Sequence, residues 1–167
     1  MMKRLLAASC VAIATAFSFG GAASAETFTI EMLNADPDNK KEKMVYTTPV
    51  LRIQPGDSVT FIPTAKGHNA QAVKGMVPDG VELFKTKLNK EETVTFDTPG
   101  VYGYKCTPHY AAGMVGLIIV EGEGWDANLA AAKEVKHRGK ARKRFTQHFE
   151  MINDVMADAG AAPAAEG

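Results

Sequence analysis

Residues 99–120 read PGVYGYKCTPHYAAGMVGLIIV. A Pro-Gly turn opens the stretch, and two short apolar runs follow, VYGYKC at 101–106 and MVGLIIV at 114–120. Runs of this length, bounded by turn residues, mark strands rather than helices. The connection between them is a tight loop whose rims carry Cys106, His109 and Met114 in the spacing C-x2-H-x4-M. The stretch therefore predicts a strand, a chemically loaded loop and a buried strand.

Upstream the pattern is the same. TFTIEML at 27–33 and PVLRIQPGD at 49–57 read as strands, the second running into a Pro-Gly turn. DSVTFIP at 57–63 and ETVTFD at 92–97 alternate apolar and polar positions, as half-buried antiparallel strands do. The stretch ADPDNKKEK at 35–43 reads as a charged surface loop, since Pro37 disfavours a central strand there. Residues 71–89 are irregular, a loop region with room for one short element. Many short strands with frequent turns predict an all-β antiparallel sandwich or barrel.

Downstream of Gly122 the composition changes. Trp125, Asp126 and ANLAAAKEVKH predict an N-cap and a first helix, broken at Gly139. Phe145, Phe149, Ile152, Val155 and Met156 recur at helical spacing and predict a second helix over about 140–159 that packs on the sandwich. The organisation is thus a sandwich over 26–122, two C-terminal helices over 123–160 and a flexible tail over 161–167.

The N-terminus decides how the cysteine is read. MMKR, an apolar segment from Leu5 to about Phe19, and the small residues Ala23, Ser24 and Ala25 form a secretory signal with cleavage after Ala25. A rival reading of LAASC as a lipid-attachment site leaves only about five apolar residues ahead of the cut, too few for a signal core. The apolar segment is also short for a membrane span. The full chain of 167 residues carries 19 basic and 19 acidic groups. Loss of Lys3 and Arg4 takes the net charge to about −2, which gives no argument for a nucleic-acid partner. The mature chain of roughly 140 residues suits one domain, expected as a monomer without membrane insertion.

Cleavage also removes Cys10, so Cys106 has no disulfide partner in its own mature chain. An unpaired thiol in an oxidising compartment is buried, reactive, bridged to another chain or held by a metal. Taken singly, each candidate has a plain reading: Cys106 as a buried hydrophobe, Met114 as core, His68 in GHNA as a turn histidine. Together, His68, Cys106, His109 and Met114 supply two imidazoles, a thiolate and a weak thioether, the donor set of a blue-copper electron-transfer site. Copper alternates between a Cu(I) state suited to sulfur and a Cu(II) state served by imidazole, and a rigid intermediate site limits rearrangement between them. Zinc would leave Met114 without a role. A Cys-His nucleophile would need an orienting group and an oxyanion site, and neither is evident. The other two histidines, His137 and His148, fall in the helical tail and are expected on solvated faces.

PGDSVTFIPTAKGHNA together with PGVYGYKCTPHYAAGM resembles the cupredoxins, and within them the pseudoazurin family, over nearly the whole mature chain. The resemblance implies a Greek-key sandwich of about eight strands and one copper ion per chain, cycling between Cu(I) and Cu(II). It implies His68, Cys106 and His109 as equatorial ligands, Met114 as the axial one, and Asn69 as a residue tying the ligand loops together. It further implies a periplasmic one-electron carrier, not an enzyme. In the family such a carrier passes electrons from a donor such as a cytochrome to an acceptor such as copper nitrite reductase, in denitrification. The electron would leave through the edge of His109, within an apolar patch of Pro108, Ala111, Ala112 and Met44. Lys66, Lys74, Lys85, Lys87 and Lys105 would steer acidic partners onto that patch. A copper buffer or chaperone is the alternative, but such a protein favours exposed Met- or His-rich clusters, which are absent here. The run KHRGKARKR at 136–144 reads either as a second anionic docking surface or as the solvated side of the two helices.

Overall fold

The computed structural model describes residues 24–160, and among these it contains eight strands and two helices. The expected signal segment, apart from Ser24 and Ala25, and the expected tail over 161–167 lie outside the described residues. No helix among the described residues is long and apolar enough to cross a membrane.

The strands are β1 (Thr27–Ala35), β2 (Lys43–Tyr46), β3 (Val50–Ile53), β4 (Asp57–Pro63), β5 (Gln71–Ala72), β6 (Glu92–Phe96), β7 (Gly100–Lys105) and β8 (Val115–Val120). They form two four-stranded sheets, ordered β2-β1-β4-β6 and β3-β8-β7-β5. The sheets are mixed rather than purely antiparallel as the alternation suggests: β1 pairs parallel with β4, and β3 parallel with β8. Alternation in β4 reports that one face is buried, with Val59 and Phe61 inside. It carries no information on the direction of the neighbour, so strand polarity was not readable from it.

β8 explains its own composition. All six of its residues are buried. Ile118 and Val120 face the core between the sheets, whereas Val115, Leu117 and Ile119 join a second apolar cluster beneath the helices. A strand covered on both faces loses polar alternation. β7 places Tyr102, Tyr104 and then Cys106 in the intersheet core at period two. Around them Tyr46, Phe61 and Phe96 meet Tyr104 or Tyr102 edge to face, with centroids 4.7–5.4 Å apart. Cys106 thus grows out of the buried aromatic core between the sheets.

β2 lies where the sequence predicts the end of a charged loop. Its backbone is secured by pairing to β1, and Pro37 stays outside both strands. The first helix, α1 (Leu129–Glu134), is shorter than the run 127–137, and its N-cap position is Asn128 rather than Asp126. The Asn128 side chain does not cap. Its Oδ1 accepts the Val101 N–H at 2.9 Å and its Nδ2 donates to the Val101 carbonyl at 2.8 Å, tying the helix to β7. Val135 is extended and ends the helix.

α2 (Gly139–Gly160) matches its periodicity. Phe145 and Ile152 are buried, and Phe149, Val155 and Met156 pack beside them in the cluster shared with β8. His137 and His148 do not occupy solvated faces. His137 lies before α2, hydrogen-bonded through Nδ1 to the Tyr110 hydroxyl at 2.6 Å, with its ring 4.3 Å from Phe145. His148 is 7% exposed. His137 packs between Tyr110 and Phe145 of α2, and His148 is buried on α2 itself, which the spacing alone does not reveal.

Candidate metal centre

β4 ends at Pro63, and the chain turns through Gly67 into His68. Gly67 has φ +97°, a left-handed conformation that glycine adopts without strain. A Cβ on it would lie 3.3 Å from Cε1 of His109, so the glycine also lets the two loops approach. Asn89 braces this turn: its N–H donates to the His68 carbonyl at 2.9 Å, and its Oδ1 accepts the Gly67 N–H.

The 106–114 loop is held by its own backbone. The Cys106 N–H donates to the Met114 carbonyl at 3.0 Å, the Met114 N–H to the His109 carbonyl at 3.1 Å and the Gly113 N–H to the Tyr110 carbonyl at 2.9 Å. These bonds fold the C-x2-H-x4-M spacing into a closed arch at the ends of β7 and β8. Met114 is fully buried in the same core cluster as Cys106.

The arch and the His68 turn bring three donors together. Cys106 Sγ lies 3.8 Å from His68 Nδ1 and 3.6 Å from His109 Nδ1, and the two Nδ1 atoms are 3.2 Å apart. A point equidistant from three atoms so spaced is about 2 Å from each, the length of a metal–imidazole bond and slightly under a metal–thiolate one. The donor set therefore fits one metal ion without rearrangement. His68 and Cys106 are buried and His109 is half-buried.

The surroundings favour neutral imidazole and, in the absence of a cation, neutral thiol. Burial, then the neighbouring His109, holds His68 below the usual imidazole range. Burial pushes the Cys106 thiol up, while the backbone N–H groups of Asn69 and His109 work in the opposite direction. A thiolate is the metal-binding form, and a cation between three donors is what would stabilise it at this largely buried position.

Asn69 spans the two loops, as its expected role requires: its Oδ1 accepts the Thr107 N–H at 2.8 Å and its Nδ2 donates to the Thr86 carbonyl at 3.3 Å. Sequence reasoning missed Asn34. His68 Nε2 and Asn34 Oδ1 are 2.9 Å apart. With the proton on Nε2, this bond leaves Nδ1 free to face the cluster. Nothing near Asn34 in the sequence marks this role. The parallel pairing of β1 with β4 is what carries it to His68.

Pro108 and Ala111 are exposed and Ala112 is half-buried around His109, and Met44 is half-buried against the core. Lys66, Lys74, Lys85 and Lys87 are exposed. Lys105 is half-buried, with its ammonium 4.8 Å above the Tyr110 ring.

The chain matches the family model for copper-binding proteins of the plastocyanin/azurin family over residues 33–121. It is 43% identical to pseudoazurin of Methylorubrum extorquens, over 91% of this chain and 98% of that protein. It is 41% identical to pseudoazurin of Paracoccus pantotrophus, over 92% of this chain and 100% of that protein. Among solved structures, pseudoazurin from Methylobacterium extorquens AM1 superposes with a TM-score of 0.69 at 45% identity, covering 75% of this chain and 98% of that one. A pseudoazurin from Sinorhizobium gives a TM-score of 0.70 at 43% identity, covering 76% and 96%.

Proposed function

The chain belongs to the plastocyanin/azurin family of copper-binding proteins, in its pseudoazurin branch, and from that premise we propose that it is a periplasmic carrier in which His68, Cys106, His109 and Met114 bind the copper. Copper is the cofactor of the family, and electron transfer rather than catalysis is its activity. The observation that carries the ligand assignment is the triangle of two Nδ1 atoms and one Sγ around a point at metal-bond distance from all three. Met114 would complete it as a weak thioether ligand: it is buried in the same core cluster as Cys106, and its backbone is bonded to both Cys106 and His109.

Copper would supply a one-electron couple whose two states prefer different ligands, and a rigid site intermediate between those preferences keeps rearrangement small. The protein's own contribution is rigidity. Cys106 extends a core strand, His68 is fixed by Asn34 and Asn89, and the arch is closed by backbone bonds. His109 is the one imidazole of the cluster that reaches the surface, and its edge is the exit for the electron.

Export follows from the signal-like residues 1–25, with cleavage after Ala25. The acceptor is a redox protein with an acidic docking face, such as copper nitrite reductase, and the donor a redox protein such as a cytochrome. Exposed Lys66, Lys74, Lys85 and Lys87 give the face its charge. Steering of this kind acts on the association rate and weakens with salt.

The optical spectrum of the oxidised, copper-loaded protein tests the site. An intense thiolate-to-copper band is expected, and Cys106→Ser abolishes it; a band that survives the substitution removes Cys106 from the ligand set. Stopped-flow mixing with copper nitrite reductase tests the partner. Reoxidation of the reduced protein that is slow and indifferent to ionic strength, alongside ready transfer of copper to an apo-acceptor, would favour a copper buffer instead.

A further inference from the structure

Three arginines lie in the basic run at 136–144, and one of them faces inward. Arg138 and Arg142 are exposed, whereas the Arg144 side chain is 14% exposed. Its Nη1 donates to the Gly113 carbonyl at 2.9 Å and to the Met44 carbonyl at 2.7 Å. Its Nη2 donates to the Lys43 carbonyl at 2.9 Å and meets the Glu42 carboxylate. The solvated-face and docking readings of the run therefore do not apply to this residue.

The Gly113 contact bears on the metal centre. Gly113 and Met114 share a peptide unit whose N–H is donated to the His109 carbonyl and whose C=O is held by Arg144. The peptide leading into Met114 is thus gripped on both polar ends, once by the ligand loop and once by α2. The packing agrees. Gly113 has φ +88°, and a Cβ there would sit 3.0 Å from Lys140 Cβ and 3.2 Å from Arg144 Cδ, so α2 rests directly on this peptide. A planar guanidinium can hold carbonyls from two segments in a fixed relation, which a single ammonium on a flexible stem does less well. Loss of the fork would leave two partly buried carbonyls in search of partners.

We propose that Arg144 is a positioning residue for the axial methionine: by fixing the Gly113–Met114 peptide relative to Met44 and α2, it sets how closely the Met114 thioether approaches the copper. This rests on the ligand assignment above. Axial thioether contact is one of the levers on the potential of such a site. A helix outside the sandwich would then tune the site from more than a turn of chain away.

The test compares Arg144→Gln with Lys143→Gln, a neighbouring exposed position that loses the same charge. Removal of a positive charge alone lowers the reduction potential, because it favours the more positive oxidised centre. Withdrawal of the thioether raises it and strengthens the thiolate bond. In Arg144→Gln we expect a higher potential and a loss of intensity in the shorter-wavelength thiolate-to-copper band relative to the longer one. Lys143→Gln should keep the wild-type band ratio. Glu42→Gln, which removes the ion pair and spares the carbonyl contacts, should keep it too. An Arg144→Gln protein with a lowered unfolding midpoint and an unchanged band ratio and potential would reduce Arg144 to a structural role and overturn the proposal. Should Arg144→Gln not fold, Arg144→Lys carries the same comparison, with a smaller change in the same direction expected. Hydrogen exchange in the copper-free protein gives a reading independent of the ligand set. The Met114 amide should exchange faster in the Arg144 variant than in wild type, and equal rates would also overturn the proposal. Persistence of the band in Cys106→Ser would instead sink the ligand assignment, so the two failures are distinguishable.

Discussion

His68 turns Nδ1 toward the metal centre while its other nitrogen, Nε2, lies 2.9 Å from Asn34 Oδ1. The bond selects the tautomer and fixes the ring plane, the function of partners behind metal ligands generally. Asn34→Ala is expected to weaken copper binding by about 10–100-fold, the usual loss when such a partner is removed. Chelator competition measures it, and Asn34→Asp, which keeps an acceptor at the same place, should stay near wild type. Equal affinities for wild type and Asn34→Ala would show that the ring is held by packing alone. The contrast between Asn34 and Cys106 also marks what the chain discloses at this scale. Cys106, His109 and Met114 are legible because they share one loop and their chemistry is unusual in combination. Asn34 is an ordinary strand residue far away in sequence, and strand pairing makes its meaning.

Strand β8 and the glycine within it show the next scale. Gly116 pairs with Tyr104 across the β7–β8 ladder, and a Cβ on Gly116 would lie 2.4 Å from both Cζ and Oη of Tyr104. The Tyr104 ring is fully buried between Tyr46 and Phe61 and has nowhere to move. Gly116→Ala is therefore expected to destabilise the protein by about 1–3 kcal/mol through overpacking. Denaturant unfolding reads the change, and no loss of stability would mean that the ring relaxes more freely than its packing suggests. At this scale the strands themselves were readable, because turn residues and apolar runs bound them tightly, and α2 was readable from its spacing. β2 was not, since charged residues around it mask a short strand whose stability comes from β1. Nor was the true start of α1, because Asn128, a good capping residue by type, spends its side chain on Val101 instead. Local propensity cannot report a hydrogen bond to a strand that is distant in sequence.

At the scale of the whole molecule, α2 joins the metal end to the body of the sandwich, and one turn after Arg144 it buries His148. The imidazole lines a cleft between α2 and β2, facing Tyr46, Val115 and Met151, with Asp36 and Glu42 at the margin and Arg144 on its own helix. Its Nδ1 has no hydrogen-bond partner. Burial first, and Arg144 second, holds its pKa down to about 4 against an ordinary 6.5. Between those values the unfolded chain binds a proton that the folded chain refuses. Folding is accordingly favoured at neutral pH, and that advantage is lost as pH falls from about 6.5 to about 4. The gap corresponds to about 3 kcal/mol. In His148→Leu, of similar bulk and without charge, the acid limb of the stability curve should flatten by that amount. Unfolding of wild type and variant measured at pH 7 and at pH 4 tests this, and taking the difference removes the acid sensitivity that both share through other groups such as His68. Parallel curves would mean that His148 escapes to solvent when charged. Flattening would show that α2, the element that also grips the Met114 peptide, is held in place partly by keeping one histidine neutral.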